Sequence, residues 1–122
     1  MAIAKVDPAQ RLVFGWAYVA TDEKGSLIVD HQGDIIPVAE LEKAAYAYVE
    51  ESREAGEMHV RKAGALVESC LFTKEKCDAM GLPFIGAKWW TGFRVDPDTF
   101  AKVQSGELAE LSIGGSAERV AV

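Results

Sequence analysis

A histidine and a serine are the residues of this chain best suited to catalysis. The 122-residue chain holds two histidines, one of them His59, and it carries Ser112 directly before Ile113, Gly114 and Gly115. An imidazole exchanges protons near neutral pH, so His59 is a candidate general base. Glycines let the backbone approach a substrate closely, and a nucleophilic serine needs such N–H groups around the oxyanion. The pattern nominates Ser112 as a nucleophile, with the amides of Ile113, Gly114 and Gly115 as oxyanion donors.

Both residues also have a structural interpretation. His59 could be a buried structural imidazole, because its sequence neighbours are apolar. Ser112 could be an ordinary strand residue, with Gly114 and Gly115 forming a β-bulge or a tight bend. The pattern differs from the nucleophile turn of α/β-hydrolases, since Glu110 stands where that motif requires its first glycine.

Other polar residues suggest metal or thiol chemistry less strongly. Asp30, His31 and Asp34 could bind a metal ion, although three polar residues before a helix more often cap it and shape a turn. Cys70 and Cys77 are spaced more widely than the cysteine pairs of zinc sites, so we expect two reduced thiols. A catalytic Cys70 stays an alternative. We expect neither a metal nor a cofactor.

The elements that must position these residues alternate between strands and helices. β-branched and aromatic runs predict strands over residues 11–19, 26–29, 65–72, 88–95 and 108–113. Helical spacing and capping residues predict helices over residues 38–55, 73–80 and 97–106, with Gly56 as the glycine that ends the first helix. Strand alternation puts one of Trp89 and Trp90 in the core and the other outside. The chain should form one α+β domain over residues 1–122, with a closed or partly closed sheet and three helices packed outside.

Composition excludes several classes of protein. Apolar residues make up 49% of the chain and charged residues 26%, as in globular domains. A net charge of -6 argues against a nucleic-acid-binding protein, which needs a basic face. No apolar run approaches the roughly 20 residues that cross a bilayer, so no membrane association is expected. The first residues lack the pattern of a secretion signal, so we expect the protein to stay in the cytoplasm.

Four stretches of the sequence carry a resemblance to a known family. The chain resembles the XkdF-type phage serine proteases, which are relatives of the prohead proteases and share a fold with herpesvirus assemblin. The stretches follow the family order over nearly the whole chain: residues 13–17 with 29–36, residues 56–60, residues 66–76, and residues 89–115.

The resemblance implies a mostly antiparallel β-barrel flanked by helices and a role in virion assembly. The implied activity is that of a serine endopeptidase in capsid maturation, cleaving scaffold and major capsid protein inside immature capsids in the bacterial host. It assigns catalysis to His59 and Ser112, the pair that local chemistry also nominates. An acyl-enzyme mechanism follows from that pair. Relatives also suggest a homodimer.

The third catalytic residue has more than one candidate. In this fold it usually follows the serine, and Glu118 is the acid that remains downstream of Ser112. Glu68 is an alternative partner for the imidazole, and His31 is a weaker one. A catalytically inactive capsid-assembly or scaffold-binding module on the same fold is the alternative function.

Overall fold

The computed structural model describes residues 1–29, 33–57, 61–113 and 120–121 as an α+β fold. Three helices interrupt the strands, and a π-helical turn, Tyr48–Ser52, extends the first helix. The helices are α1 (Val38–Ala47), α2 (Lys74–Met80) and α3 (Pro97–Ser105). The strands are β1 (Ala2–Asp7), β2 (Leu12–Val19), β3 (Asp34–Ile35), β4 (Glu54–Glu57), β5 (Arg61–Phe72), β6 (Lys88–Val95), β7 (Ser112–Ile113) and β8 (Val120–Ala121). None of the helices in these ranges is long and apolar enough to span a membrane.

An antiparallel sheet forms the body of the molecule. Its strand order is β1-β2-β6-β5-β4-β7, and β3 pairs separately with β8. Every pair of neighbouring strands runs antiparallel. The predicted α+β class with a mostly antiparallel sheet is therefore confirmed.

A closed barrel is not confirmed, because the strand ladder ends at β1 on one side and at β7 on the other. The chain just before β7 nevertheless bonds to the start of β1. Ile3 donates its N–H to the carbonyl of Ala109 at 3.2 Å, and Ala2 and Glu110 form an isolated bridge. These few bonds connect the two edges of the sheet without extending the ladder.

The hydrophobic core lies on the inner face of the sheet around Tyr48. The Tyr48 ring is 2% exposed and meets Trp89 edge to face, with ring centroids 5.6 Å apart. Phe93 packs against the same ring at 6.3 Å. Further core residues come from every layer and include Val13, Leu41, Leu71, Val95, Phe100 and Leu111. Burial of these apolar side chains is the main stabilising term of the fold.

The outer face of the sheet carries a second set of aromatic rings. Trp89 is 7% exposed in the core, whereas Trp90 points outward and is half-buried, as strand alternation predicts. Trp90 stacks on Phe14 with centroids 6.0 Å apart and meets Trp16 edge to face at 5.0 Å. These outer contacts join β2 to β6 on the face opposite the core.

Capping residues begin and end α2 and α3 where the sequence predicts. Thr73 accepts the N–H of Lys76 at 3.3 Å, and Asp96 accepts the N–H of Thr99 at 2.7 Å. Gly81 and Gly106 end these helices with left-handed φ values of 71° and 82°. A glycine adopts this conformation without steric cost, so both helices end there.

Three predicted elements are wrong in their extent. The strand predicted over residues 108–113 is reduced to β7, Ser112–Ile113, with an isolated bridge between Glu110 and Ala2. The helix predicted over residues 38–55 ends earlier, because Arg53 adopts a left-handed φ of 56° and turns the chain into β4. Gly56 is therefore a strand residue and not a helix cap. The predicted strand over residues 26–29 is reduced to an isolated bridge between Thr21 and Leu27.

Candidate functional site

Ser112 lies on the outer face of the sheet. Its neighbour Leu111 is 1% exposed in the core, and Ile113 packs against the same core. Because successive side chains of a strand point to opposite faces, Ser112 must point away from the core. Its side chain is half-buried. The structure thus gives this serine the partly exposed position that a nucleophile needs, and not a buried one.

The strand beside Ser112 presents a glycine to it. Ser112 pairs with Gly56 of β4, and Ile113 pairs with Ala55. Directly paired residues share one face of the sheet. Because Gly56 has no side chain, the residue directly opposite Ser112 does not cover the serine. Gly56 was predicted to end a helix. Its position at the start of residues 56–60, the stretch that contains His59, is the signal in the sequence that points to the site instead.

Backbone alternation orients the amide that follows Ser112. Leu111 donates its N–H to the carbonyl of Met1 at 3.0 Å, and its own carbonyl accepts the Met1 amino group at 2.9 Å. Both backbone groups of Leu111 therefore face β1. The residue two positions along a strand faces the same way, so the Ile113 N–H is directed to the side opposite β4. Of the predicted oxyanion donors, Ile113 is the one within the described residues.

Several predicted site residues lie outside the described residues. These are Asp30, His31, His59, Gly114, Gly115 and Glu118. In sequence, His59 stands two residues after Glu57, the last residue of β4, and two residues before Arg61, the first residue of β5. Asp34 belongs to β3, where it pairs with Ala121. Among the described residues, no group of three or more His, Cys, Asp and Glu could hold a metal ion.

Glu68 and Ser112 are not brought together by the sheet. β5 pairs Lys62 with Gly56, which in turn pairs with Ser112. Glu68 stands six positions beyond Lys62 (68 minus 62), which corresponds to about 20 Å along a strand. Its carboxylate is exposed and accepts the indole N–H of Trp90 at 3.3 Å. Glu68 therefore lies beside the aromatic rings on the outer face of the sheet, and it is far from Ser112.

The two cysteines are free thiols in different surroundings. Cys70 is half-buried on β5, and Cys77 is buried on α2. Burial raises the pKa of the Cys70 thiol above its ordinary value, although Lys76 opposes that shift. A thiol with a raised pKa is a weaker nucleophile at neutral pH, since the thiolate is the reactive form. The structure therefore gives no support to Cys70 as an alternative nucleophile.

Comparison with known proteins places the chain in a family. A relative from Bacillus subtilis (strain 168), "Uncharacterized protein YqbD", is 26% identical over 120 residues. The match covers 97% of this chain but 35% of that protein, so the chain spans about a third of the relative's length. No solved structure matches the chain significantly. The sequence model of one family matches residues 1–121, and the chain therefore belongs to the family described as "Putative phage serine protease XkdF".

Proposed function

We propose that this protein is a serine endopeptidase in which Ser112 is the nucleophile and His59 is the general base. The observation that carries the proposal is the position of Ser112 on the outer face of β7, opposite a glycine of the strand that leads to His59. Membership of a family described as phage serine proteases supports the reaction class.

The short length of chain between Gly56 and His59 limits how far His59 can lie from Ser112. Gly56 pairs directly with Ser112, and antiparallel partners have Cα atoms about 5 Å apart. His59 follows Gly56 by three residues (59 minus 56), which span at most about 11 Å of extended chain. The Cα atoms of His59 and Ser112 are thus held within about 16 Å of each other by chain length and strand pairing alone.

The chemistry follows from these groups. His59 takes the proton from the Ser112 hydroxyl as the oxygen attacks the peptide carbonyl carbon, and the carbonyl π electrons move onto oxygen. The N–H of Ile113, with those of Gly114 and Gly115, donates to that oxyanion. The imidazolium then protonates the departing amine, which leaves an acyl ester on Ser112. Water, deprotonated by His59, hydrolyses the ester and regenerates the hydroxyl.

Glu118 is the acid that we assign to the imidazole. Glu118 lies two residues before β8 in sequence, whereas Glu68 lies far along β5 from the level of Ser112. A carboxylate beside the imidazole fixes its tautomer and stabilises the imidazolium. Replacement of this acid should slow the reaction without removing it, because the serine and histidine remain.

The proposal also includes the shape of the sheet. Residues 109–111 bond to the start of β1, while Ser112 and Ile113 pair with β4. A single strand over residues 109–113 would therefore join both edges of the sheet and close a barrel. In this arrangement Ser112 lies where the strand changes its pairing partner from β1 to β4.

The substrates that we assign are segments of the phage scaffold and major capsid protein, cleaved inside immature capsids in the cytoplasm of the bacterial host. The family description supports a phage context. The acidic net charge of -6 supports protein substrates rather than nucleic acid. A homodimer within the shell is part of the same proposal.

Labelling with a fluorophosphonate tests this function without knowledge of the natural cleavage site. The Ser112 oxygen attacks phosphorus and fluoride leaves, so an active serine gains a covalent adduct at that residue. We expect the wild-type protein to label at Ser112, the Ser112→Ala variant to remain unlabelled, and Ser105→Ala to label normally. Ser105 is an exposed serine at the end of α3, which makes it a matched control.

Cleavage of the phage scaffold and coat proteins is the second readout. Co-expression with these proteins should give products with the wild-type enzyme and none with Ser112→Ala. Persistent cleavage by the alanine variant would overturn the proposal. A wild-type protein that neither labels nor cleaves, yet binds scaffold protein, would show the non-catalytic assembly module instead.

A further inference from the structure

Aromatic rings from three neighbouring strands form one surface on the outer face of the sheet. Trp90 of β6 stacks on Phe14 of β2 at 6.0 Å and meets Trp16 of the same strand at 5.0 Å. Phe72 of β5 extends this surface, with its ring centroid 6.1 Å from that of Trp16. Phe14 is 7% exposed, whereas the other three rings are half-buried. Each of those three rings therefore keeps part of its area open to a partner.

Two lysines hold their ammonium groups over these rings. Lys5 lies over the Phe14 ring at 4.7 Å, and Lys88 lies over the Trp16 ring at 5.4 Å. The face of an aromatic ring attracts a cation, so both ammonium groups are held close to the surface. Within the part of the chain that the structure describes, neither of them forms an ion pair with a carboxylate. Both positive charges are therefore available to an acidic partner.

The carboxylates on the same face do not neutralise the two lysines. Glu68 accepts the indole N–H of Trp90 at 3.3 Å, and Asp7 accepts a side-chain amide N–H of the following turn at 3.0 Å. Glu110 lies at the edge of the sheet, where it bridges the start of β1. Arg94 adds an exposed cation, because it lies an even number of residues after Trp90 along β6 and so shares its face. The rings thus carry unpaired positive charge in a chain whose net charge is -6.

The spacing of the two lysines matches an extended peptide. They lie over Phe14 and Trp16, which are two residues and hence about 7 Å apart along β2. Side chains at alternate positions of an extended peptide face the same side, with the same repeat of about 7 Å. Two glutamates separated by one residue can therefore each meet one ammonium group, while their aliphatic stems pack on the rings.

We propose that this aromatic face, formed by Phe14, Trp16 and Trp90 with Lys5 and Lys88, is a docking site for an extended acidic segment of a partner protein. Packing on the half-buried rings buries apolar area, and the two ammonium groups select negative charge and fix the register of the segment. Nucleic acid fits the face less well, because the net charge of -6 repels phosphates. The proposal adds an interaction to the proposed function and does not depend on the reaction at Ser112.

Nuclear magnetic resonance titration of the isotope-labelled protein tests this docking site. The probe is a short capped peptide of threonines that carries two glutamates separated by one residue. We expect the indole N–H resonances of Trp16 and Trp90 to shift. The indole N–H of Trp89 should not shift, because it donates to Ser69 at 2.9 Å on the opposite face. A peptide with glutamine in place of both glutamates should bind more weakly, and so should a peptide whose two glutamates are adjacent, since adjacent side chains face opposite sides.

Charge removal on the protein gives the matched variants. We expect the double variant Lys5→Met/Lys88→Met to weaken binding of the glutamate peptide by about fivefold or more, since two exposed ion pairs are lost. Lys5→Arg/Lys88→Arg should bind as tightly as the wild type, because it keeps both charges. Lys24→Met is the control, since Lys24 is an exposed lysine in the turn after β2 and outside the aromatic face. If the double methionine variant unfolds by circular dichroism, Lys5→Gln/Lys88→Gln replaces it.

Several outcomes would overturn the docking site. These are a folded wild-type protein that does not bind the glutamate peptide, equal binding of the glutamine peptide, and shifts confined to residues outside the aromatic face. Tighter binding of an oligothymidylate at the same two indoles would also overturn it and would identify nucleic acid as the ligand. The wild-type protein should bind the peptide whether or not Ser112 reacts with a fluorophosphonate, so this inference and the proposed function fail separately.

Discussion

Ser112 lies directly opposite Gly56 in the antiparallel pair formed by β7 and β4. This relationship puts the serine beside the one residue type that cannot cover it. It also connects the serine to the strand that ends two residues before His59. Neither connection is visible from sequence spacing, because 56 positions separate the two residues along the chain (112 minus 56).

A side chain at position 56 should block the site. Gly56→Val would add a β-branched group on the face that Ser112 occupies, because paired residues share that face. We expect fluorophosphonate labelling to fall by at least about tenfold, while the domain stays folded, because valine favours strands. Ala65→Val is the control, since Ala65 is an exposed residue of the neighbouring strand β5. Equal labelling of the two variants would contradict this account of Gly56.

The core should depend strongly on Tyr48. Its ring is 2% exposed and packs against Trp89 and Phe93. We expect Tyr48→Ala to lower the free energy of unfolding by about 3–5 kcal/mol, as for other large-to-small aromatic changes in cores. Tyr46→Ala, at a position 47% exposed on α1, should cost about 1 kcal/mol or less. Urea unfolding followed by circular dichroism measures both, and similar losses would contradict the described packing.

The start of α3 should be sensitive to its cap. Asp96 accepts the N–H of Thr99 at 2.7 Å. We expect Asp96→Ala to cost about 1 kcal/mol of stability, within the range for N-cap carboxylates. Asp98→Ala removes a carboxylate from the same turn without removing the cap, and it should cost about 0.3–1 kcal/mol through the helix dipole. If thermal unfolding shows the Asp98 variant to be the less stable, the capping role assigned to Asp96 is wrong.

The Cys70 thiol should react slowly at neutral pH. Burial raises its pKa, with Lys76 acting in the opposite direction. A raised pKa in the folded state means that the neutral thiol is favoured, and its stabilising contribution is lost as the pH rises through the folded pKa. We expect iodoacetamide to alkylate Cys70 more slowly in the folded protein than in urea, with a rate that increases at higher pH than for the unfolded chain. Peptide mass spectrometry measures the alkylation rate of Cys70 at each pH. A Cys70 thiol that ionises at a lower pH in the folded protein than in urea would contradict the prediction.

Local signals in the sequence predict part of the fold well. β6 and α3 are confirmed because each depends on nearby residues, such as the run of aromatic and β-branched residues before Val95 and the Asp96-Pro97 start. β1 and β4 were not predicted, although each of them pairs with the next strand in the chain, β2 and β5 respectively. β4 also lies within a sequence that continues the helical pattern of α1, and the left-handed Arg53 overrides that pattern.

The candidate site could also be predicted only in part from local signals in the sequence. Local chemistry nominates Ser112, but its outward orientation depends on the packing of Leu111 and Ile113 into the core. Sequence reasoning offers Glu68 as an acid near the histidine. The register of β5 carries it far from the level of Ser112, and it bonds to Trp90 instead. The place of Gly56 opposite Ser112 is found only through strand pairing, because Gly56 belongs to no recognisable catalytic pattern.

A crystal structure of the protein labelled with fluorophosphonate tests the central claim most directly, through the distance between the Ser112 Oγ atom and the nearer imidazole nitrogen of His59. The account predicts a covalent adduct on Ser112 and a separation of about 3 Å, within hydrogen-bond reach of a general base. An imidazole on the opposite face of the sheet from the adduct, or an adduct on a different residue, would contradict it.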